Sequence, residues 1–461
     1  MKRPEFFRVK LPAMMTAILI LLSVRGYSQE KDFRYYDSLS YGLYTLKDWK
    51  SLIAVAEEAE SKGYDYYYLN MRLGIAHYEM KDYRSSIPYF EKSLEYSTDE
   101  PAAVEYLYFA YLESGRSGDA SMLAAKYREK LASVPGTGSK ILNFIYTEGG
   151  YTPDAASRLT PSALIGNDSI YGEEDAFKTQ SYFHLGIQLQ PLPFLKVYAS
   201  GSMLGIGKQK HFAFANYNAS GNFLSVIDTV FPYSYNQKEF YIAASLSPYR
   251  GFTITPALHV MQGDPSPVNC IYSDYTYSFS EDAYSYSHYV FSLLLTKEMR
   301  KFTLGVSGSV SKLTPKGRQY QASASLTWYP KGNLDIYTTS IISVLRENKK
   351  TRLIYEQTVG LKMAPKLWLE GSATVGDLAY FNEKNAFVVY NLPEHIVFRG
   401  GASLIYMLNR HLDVSFMYRL YSRENDYLYY SYDPDRGRLI SQTRKNAYVN
   451  QSFFGGLKWK F

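Results

Sequence analysis

One cysteine in 461 residues, Cys270, cannot form an internal disulfide, so this chain is held by packing and strand pairing alone. The net charge of +6 is spread along the sequence. No Lys/Arg run reaches the roughly five to eight residues of a polyanion patch, which excludes nucleic acid as a partner. Beyond Val24 nothing approaches about 18 consecutive apolar residues, so any crossing of a membrane must use strands. There is no nucleotide-binding glycine loop after a strand, no Gly-x-Ser-x-Gly elbow and no His or Cys pair at metal-ligand spacing. Neither a cofactor nor a metal is therefore expected, and the chain reads as a non-enzyme. What is abundant is tyrosine. The 47 Tyr, 25 Phe and 4 Trp make aromatics 16% of the residues, yet mean hydropathy stays at -0.27. Aromatic girdles around a polar lumen give that combination.

The N-terminus has the layout of an export signal over residues 1–28. Lys2, Arg3, Arg8 and Lys10 are basic, Leu11 to Val24 is mostly apolar, and small Gly26 and Ser28 precede Gln29. No cysteine follows the apolar stretch, which excludes a lipid anchor at that point.

Residues 33 to 134 repeat with a period of 34. Lys47-Asp48-Trp49 returns as Lys81-Asp82-Tyr83. Gly42, Ala76 and Ala110 share one phase, Ile53 and Ile87 another, and Gly115 falls at the inter-helix turn of the third unit. The small residues are expected to be close-packing points between paired helices. On these residues the segment resembles the tetratricopeptide repeat family. The match is best over Leu69 to Leu94, where Leu73-Gly74, Ala76, Tyr83, Ile87, Phe90 and Leu94 fall where that family packs. Asn70, Ser86 and Pro88 depart from its pattern, and Pro88 requires the second helix to begin near Ser85.

The resemblance implies a periplasmic domain of about three units over 30–134, closed by a helix at 118–133. The first helix of each unit is expected to line a concave groove. Arg34, Asp37, Tyr41 and Tyr44 come from unit one, Tyr68, Met71, Ile75 and Tyr78 from unit two, and Glu105, Phe109 and Leu112 from unit three. Aromatics and Met suit a groove that grips a peptide or helix of a protein partner. The alternative is that this surface packs within its own chain.

A Gly/Ser-rich linker at 135–140 marks a change of period, and 141–461 reads as an antiparallel β-barrel. In Phe302 to Val310 every second residue is apolar or Gly, with Thr, Gly and Ser between. Tyr320 to Trp328 and Leu412 to Leu420 repeat the alternation. Strands are expected near 140–152, 178–190, 193–206, 235–247, 251–262, 285–296, 300–312, 317–330, 333–346, 350–363, 366–378, 395–408, 411–422 and 447–461. That makes about 14, and an even count from 12 to 16 returns the C-terminus to the periplasm. Tight turns at 191–192, 248–250, 297–299, 330–332, 364–365 and 409–410 are expected to face long loops at 153–177, 207–234, 263–284, 379–394 and 423–446. That asymmetry is the mark of an outer-membrane barrel.

The last strand ends with Phe453, Leu457, Trp459 and Phe461 in one phase. It resembles the C-terminal signal that barrel-insertion machinery recognises. The polar phase carries Lys196, Glu239, Asp335, Arg352, Glu356, Lys362, Glu370, Arg399, Asp413, Arg419, Lys458 and Lys460. These line the lumen either as a selectivity ladder or as paired charges in a plugged barrel. His184, His259 and His288 share that phase and are the residues a barrel-embedded lipid-modifying enzyme would have to use.

Repeats fused to a barrel resemble the outer-membrane subunits of exopolysaccharide export systems. The reading that follows is a non-enzymatic outer-membrane subunit of an envelope assembly or secretion complex. It sits in outer-membrane lipid, is inserted by the barrel machinery, and recruits a periplasmic protein through its groove. Export of a saccharide or other solute is the alternative, and the barrel enzyme comes third.

Overall fold

The computed structural model describes residues 31–134, 140–165, 169–218, 220, 222–273, 276–314, 317–391, 394–433 and 438–461. The export signal and all of the linker except Lys140 lie outside the described residues. Two compact units divide between Leu107 and Tyr108, whereas the sequence reading places its boundary at 135–140.

Among the described residues, six helices precede the first strand: α1 (Phe33–Thr45), α2 (Trp49–Ser61), α3 (Tyr67–Glu79), α4 (Tyr83–Tyr96), α5 (Pro101–Glu113) and α6 (Ser117–Lys126). First helices of each pair start 34 residues apart, and so do second helices. The turns recur too. Lys47, Lys81 and Gly115 stand at φ 56, 61 and 84°, a left-handed conformation that ends each first helix. Asp48 and Asp82 then accept from the backbone N–H of Ser51 and Ser85, both at 3.3 Å, and cap each second helix. The Lys-Asp-aromatic repeat is therefore a stop, a cap and a first helical residue.

In the first unit Tyr36, Leu52, Ala56, Leu69, Leu73 and Ala76 form one buried cluster. Three expectations are corrected. Gly42 is not a packing point, because a Cβ placed there would meet nothing within 4 Å. Gly74, already among the residues expected to pack, is one: its Cβ would lie 2.5 Å from the Phe90 ring. Pro88 sits inside α4, which starts at Tyr83 rather than near Ser85. Its ring is exposed, and the helix forgoes one backbone hydrogen bond there. In the second unit, α6 ends at Lys126, short of the helix expected to run to 133.

The second unit closes into a barrel of fourteen antiparallel strands. They are β1 (Leu142–Thr152), β2 (Ser169–Leu192), β3 (Leu195–Tyr217), β4 (Phe223–Tyr249), β5 (Phe252–Gly263), β8 (Tyr286–Glu298), β9 (Phe302–Thr314), β10 (Gly317–Trp328), β11 (Ile336–Glu347), β12 (Lys350–Ala364), β13 (Leu367–Val375), β16 (His395–Met407), β17 (Leu412–Asp433) and β18 (Arg438–Lys460). Two short hairpins, β6 (Val268–Ser273) with β7 (Thr276–Glu281) and β14 (Asn382–Glu383) with β15 (Val388–Val389), stand apart from the wall. β1 pairs with β18 to close the cylinder. Each strand expected from the sequence is present, and the six tight turns fall at one end, with the start of β1 and the end of β18.

The opposite end departs from the expected pattern. The links β9–β10 and β11–β12 are also tight, and 207–234 and 423–446 are mostly strand rather than loop. β3 pairs with β4 up to Tyr217, and β17 with β18 up to Asp433. Alternation of aromatic or β-branched residues with polar ones simply continues there, and cross-strand pairing rewards it. Above Thr152, where β1 stops, β17 pairs directly with β2 through Leu428 to Ser431. β2, β3, β4, β17 and β18 thus run 22 to 27 residues, against 12 to 15 in β5 and β8 to β12.

The 263–284 segment is the β6–β7 hairpin. It lies on this tall side, where Tyr277 and Phe279 meet the rings of Tyr171, Phe212 and Phe214. A one-turn helix, α7 (Pro161–Ile165), buries Leu164 and Ile165 against Ala213, Tyr427 and Tyr429.

Outward side chains are apolar and exposed round the wall: Phe291, Leu304, Val306, Ile342, Leu353, Val359, Phe416 and Leu457 among them. Phe302, Trp328, Tyr406, Trp459 and Phe461 ring the turn-bearing end. This is a belt with an aromatic girdle, the surface of a barrel that spans a bilayer.

Candidate functional site in the barrel lumen

The segment after β13, described over residues 376–391, covers the end of the strand expected at 366–378 and most of the long loop expected at 379–394. It turns into the lumen and crosses to the far wall as a strap. Its middle is a left-handed turn of three residues other than glycine, Lys384, Asn385 and Ala386, at φ 50, 58 and 65°. Each such residue costs about 1–2 kcal/mol, so neighbouring contacts must hold the turn. Asn385 donates to Thr255 O at 3.0 Å and accepts from Ser292 Oγ at 2.7 Å. His259 Nδ1 donates to Ala386 O at 2.7 Å, and Tyr241 OH to Asn385 O at 3.2 Å. Asn382 and Gln321 exchange bonds of 2.8 to 3.2 Å between side chain and backbone. The wall residues are inward positions of β4, β5, β8 and β10, so the alternation of those strands is what aims them at the strap.

Two buried ionic clusters anchor its flanks. Arg399 pairs with Glu383 and Glu356, and donates to Tyr390 OH at 2.9 Å and Thr374 Oγ1 at 2.6 Å. Glu394 accepts from Lys208 at 2.5 Å and Arg423 at 2.7 Å. A buried carboxylate is stable only when paired in this way.

The other lumen charges are also mostly engaged. Arg352 meets Glu347 at 2.8 Å and Asp377 at 3.3 Å, and it donates to Ala379 O of the strap. Lys362 pairs with Asp335 at 3.5 Å, Lys460 with Asp413 at 2.7 Å, and Glu370 accepts from Tyr337 OH at 2.6 Å. Glu239 stands 3.4 Å from His259 Nε2, Lys196 donates to Ser117 Oγ at 2.6 Å, and Arg419 Nε lies 3.1 Å from the Met417 sulfur. Arg352, Lys362 and Lys460 are in ion pairs, whereas Lys196 and Arg419 meet neutral partners.

The strap leaves a cavity of about 300 Å3 against β9 to β12, lined by Ser307, Gln321, Ser323 and Glu356. A second, open cavity of about 520 Å3 lies against β1, β3, β4, β5 and β18 near the turn-bearing end. Leu294, Lys384 and Asn385 line both. The strap tip is the partition between them.

Of the three histidines, His184 contacts Tyr198 OH at 2.9 Å and Ser202 Oγ at 3.2 Å. A serine lies beside it, but its second nitrogen meets a phenol and not the carboxylate that would orient a general base. His259 is committed to the strap, and His288 lies against Tyr286 with tilted rings, centroids 4.4 Å apart.

In the helical region Arg34, Tyr41, Tyr68, Glu105 and Leu112 are exposed, and Asp37, Tyr44, Tyr78 and Phe109 half-buried. Met71 and Ile75 are buried and offer a partner no surface. The reason is that α3 is enclosed all round from Leu69 to His77, as suits a helix without a polar face. Arg72, unmarked in the sequence reading, is the centre of this face. It donates to Asp37 at 2.7 Å and Ser40 at 2.8 Å, with its guanidinium over the rings of Tyr41 and Tyr68. The strap was likewise missed. The available signal was Arg399 and Arg423, two lumen-phase arginines in neighbouring strands that demanded carboxylates from elsewhere.

No protein-family model matches the chain, and no curated protein matches it in sequence. Among solved structures it is similar to the Pseudomonas putida toluene transporter TodX, at 8% identity and a TM-score of 0.43 over 73% of this chain and 94% of that one. It is similar also to a Pseudomonas aeruginosa FadL homologue, at 8% identity and a TM-score of 0.40 over 69% of this chain and 90% of that one. A deletion mutant of the TodX monoaromatic hydrocarbon channel gives 10% identity and a TM-score of 0.46 over 72% and 94%. The barrel assignment rests on the strand ladder itself, a closed ring of fourteen antiparallel strands.

Proposed function

We propose that this chain is an outer-membrane channel for small solutes, shut in the described state by the strap at 376–391. The observation that carries the reading is that Leu294, Lys384 and Asn385 line both lumen cavities, so a partition one segment thick separates them. A plug meant only to stiffen the wall would leave no space on either side. The export signal at 1–28 and the terminal Phe453, Leu457, Trp459 and Phe461 fit delivery to the outer membrane by the barrel machinery. The 34-residue helix pairs fit a periplasmic, tetratricopeptide-like docking domain, whose exposed Tyr41 and Tyr68 flank Arg72.

The test is to tether the strap. Ser292 Oγ and Asn385 Oδ1 are 2.7 Å apart, so Ser292→Cys with Asn385→Cys, in a Cys270→Ser background, should form a disulfide. In a planar bilayer the oxidised protein should be silent and the reduced protein should show stepwise conductance. Silence in both states from a folded barrel would sink the channel reading. It would favour the second reading, a scaffold subunit, for which the β6–β7 hairpin seated among Tyr171, Phe212 and Phe214 speaks. Tyr41→Ala with Tyr68→Ala should release a periplasmic partner without reducing barrel insertion. A double variant that kept every partner would remove the docking claim.

A further inference from the structure

The cavity near the turn-bearing end carries two lysines and no carboxylate among its lining residues. Lys384 projects from the strap turn with an exposed side chain, and Lys458 stands on β18 with its ammonium 4.1 Å from the centre of the Phe144 ring. Among the described residues neither is in an ion pair. The carboxylates that act on them are engaged elsewhere: Asp413 is bound by Lys460, and Glu383 and Glu356 by Arg399. Two cations that face one cavity whose lining holds no carboxylate favour an anion there.

The rest of the wall is aromatic. Phe144, Tyr146, Tyr198, Tyr241 and Phe387 face the same space. Tyr198 and Phe387 lie 6.0 Å apart, Tyr241 and Phe387 5.2 Å, both edge to face, with Phe144 and Tyr198 tilted at 6.2 Å. Rings at such angles form a cleft whose faces accept a further flat apolar ring. A volume of about 520 Å3 is within the roughly 300–1,000 Å3 of small-molecule sites. The left-handed turn at 384–386 places Lys384 and Phe387 in the lining of the same cavity.

We propose that this cavity binds a small organic anion with a flat apolar ring, its charged head between Lys384 and Lys458 and its ring among Tyr198, Tyr241 and Phe387. The inference rests on the reading of the lumen as a solute path, and names the solute class that path would select.

The experiment is isothermal titration of the full-length protein in detergent with benzoate, against benzyl alcohol, acetate and hexanoate, with micelle blanks subtracted. Benzoate should bind at least tenfold more tightly than each of the others. Lys384→Gln, on an exposed side chain, should weaken benzoate at least threefold, and Lys384→Gln with Lys458→Gln at least tenfold. Heat-modifiable mobility on a gel would check that each variant keeps its barrel. Acetate or hexanoate binding as tightly as benzoate, benzyl alcohol matching it, or Lys384→Gln leaving it unchanged would each overturn the proposal. Binding is read at equilibrium in the closed protein. A silent bilayer with intact benzoate binding would therefore remove the channel reading alone, whereas conductance without benzoate binding would remove the site alone.

Discussion

Gly42 and Gly74 lie in first helices of successive pairs but meet opposite surroundings. Gly42→Ala adds a methyl in open space inside a helix and should stabilise by about 0.5–1 kcal/mol through reduced chain entropy. Gly74→Ala drives a methyl into the Phe90 ring and should cost about 1–3 kcal/mol. Thermal melting followed at 222 nm, where helices dominate, separates the two signs. Glu58 offers a pH test. Hydrogen bonds first from Lys31 and then from Tyr36 pull its carboxyl down to about 2 from the usual 4.5. A carboxyl lowered by folding stabilises above its unfolded value and loses that contribution as pH falls from about 4.5 towards 2. Glu58→Gln should therefore lower the melting temperature at pH 7 and lower it much less at pH 2.5. An equal loss at both pH values would show that the charge plays no part. At this scale the sequence was informative where chemistry is local: Lys81-Asp82-Tyr83 spells a turn, a cap and a helix start. It misled on Gly42, which shares the phase of Ala76 but meets no neighbour, because its environment depends on which neighbours arrive.

The strap is the element that sequence reading could not place. Residues 376–391 have neither the period of a strand nor that of a helix, and their polarity reads as solvent exposure when they are in fact satisfied by Gln321, Ser292 and Arg399. Long-range pairing of this kind has no signature in local periodicity, although the lumen-phase arginines showed that something was missing. Glu394 tests how firmly the element is held. Removing it leaves Lys208 and Arg423 buried without a counter-charge, so Glu394→Ala should cost about 3–5 kcal/mol, far more than an exposed pair would. The fall should be visible as loss of heat-modifiable mobility at lower temperature, and the surviving barrel should open more often in a bilayer. If Glu394→Ala melted like the parent protein, the cluster would be no anchor.

For the barrel as a whole, the register of fourteen strands was legible because period two is a property of each strand separately, and a slip of one residue would turn every apolar side chain into the lumen. Strand length at the far end was not legible, since nothing in alternation says where a membrane stops. The lipid-facing assignment has its own test. Val306 is 61% exposed at mid-strand and its neighbour Ser307 faces the lumen. Val306→Arg should cost about 2–4 kcal/mol in urea-driven folding into vesicles, and Ser307→Arg much less. Equal costs would contradict a bilayer around this belt.

The unequal strands have a consequence for traffic at the mouth opposite the tight turns. Roughly ten extra residues at about 3.3 Å each raise β2, β3, β4, β17 and β18 like a palisade along one flank, while β8 to β12 end low on the other. Whatever approaches that mouth sideways meets a fence from one direction and a doorstep from the other. The mouth has a front, and neighbouring molecules that crowd the tall flank would leave the doorstep clear.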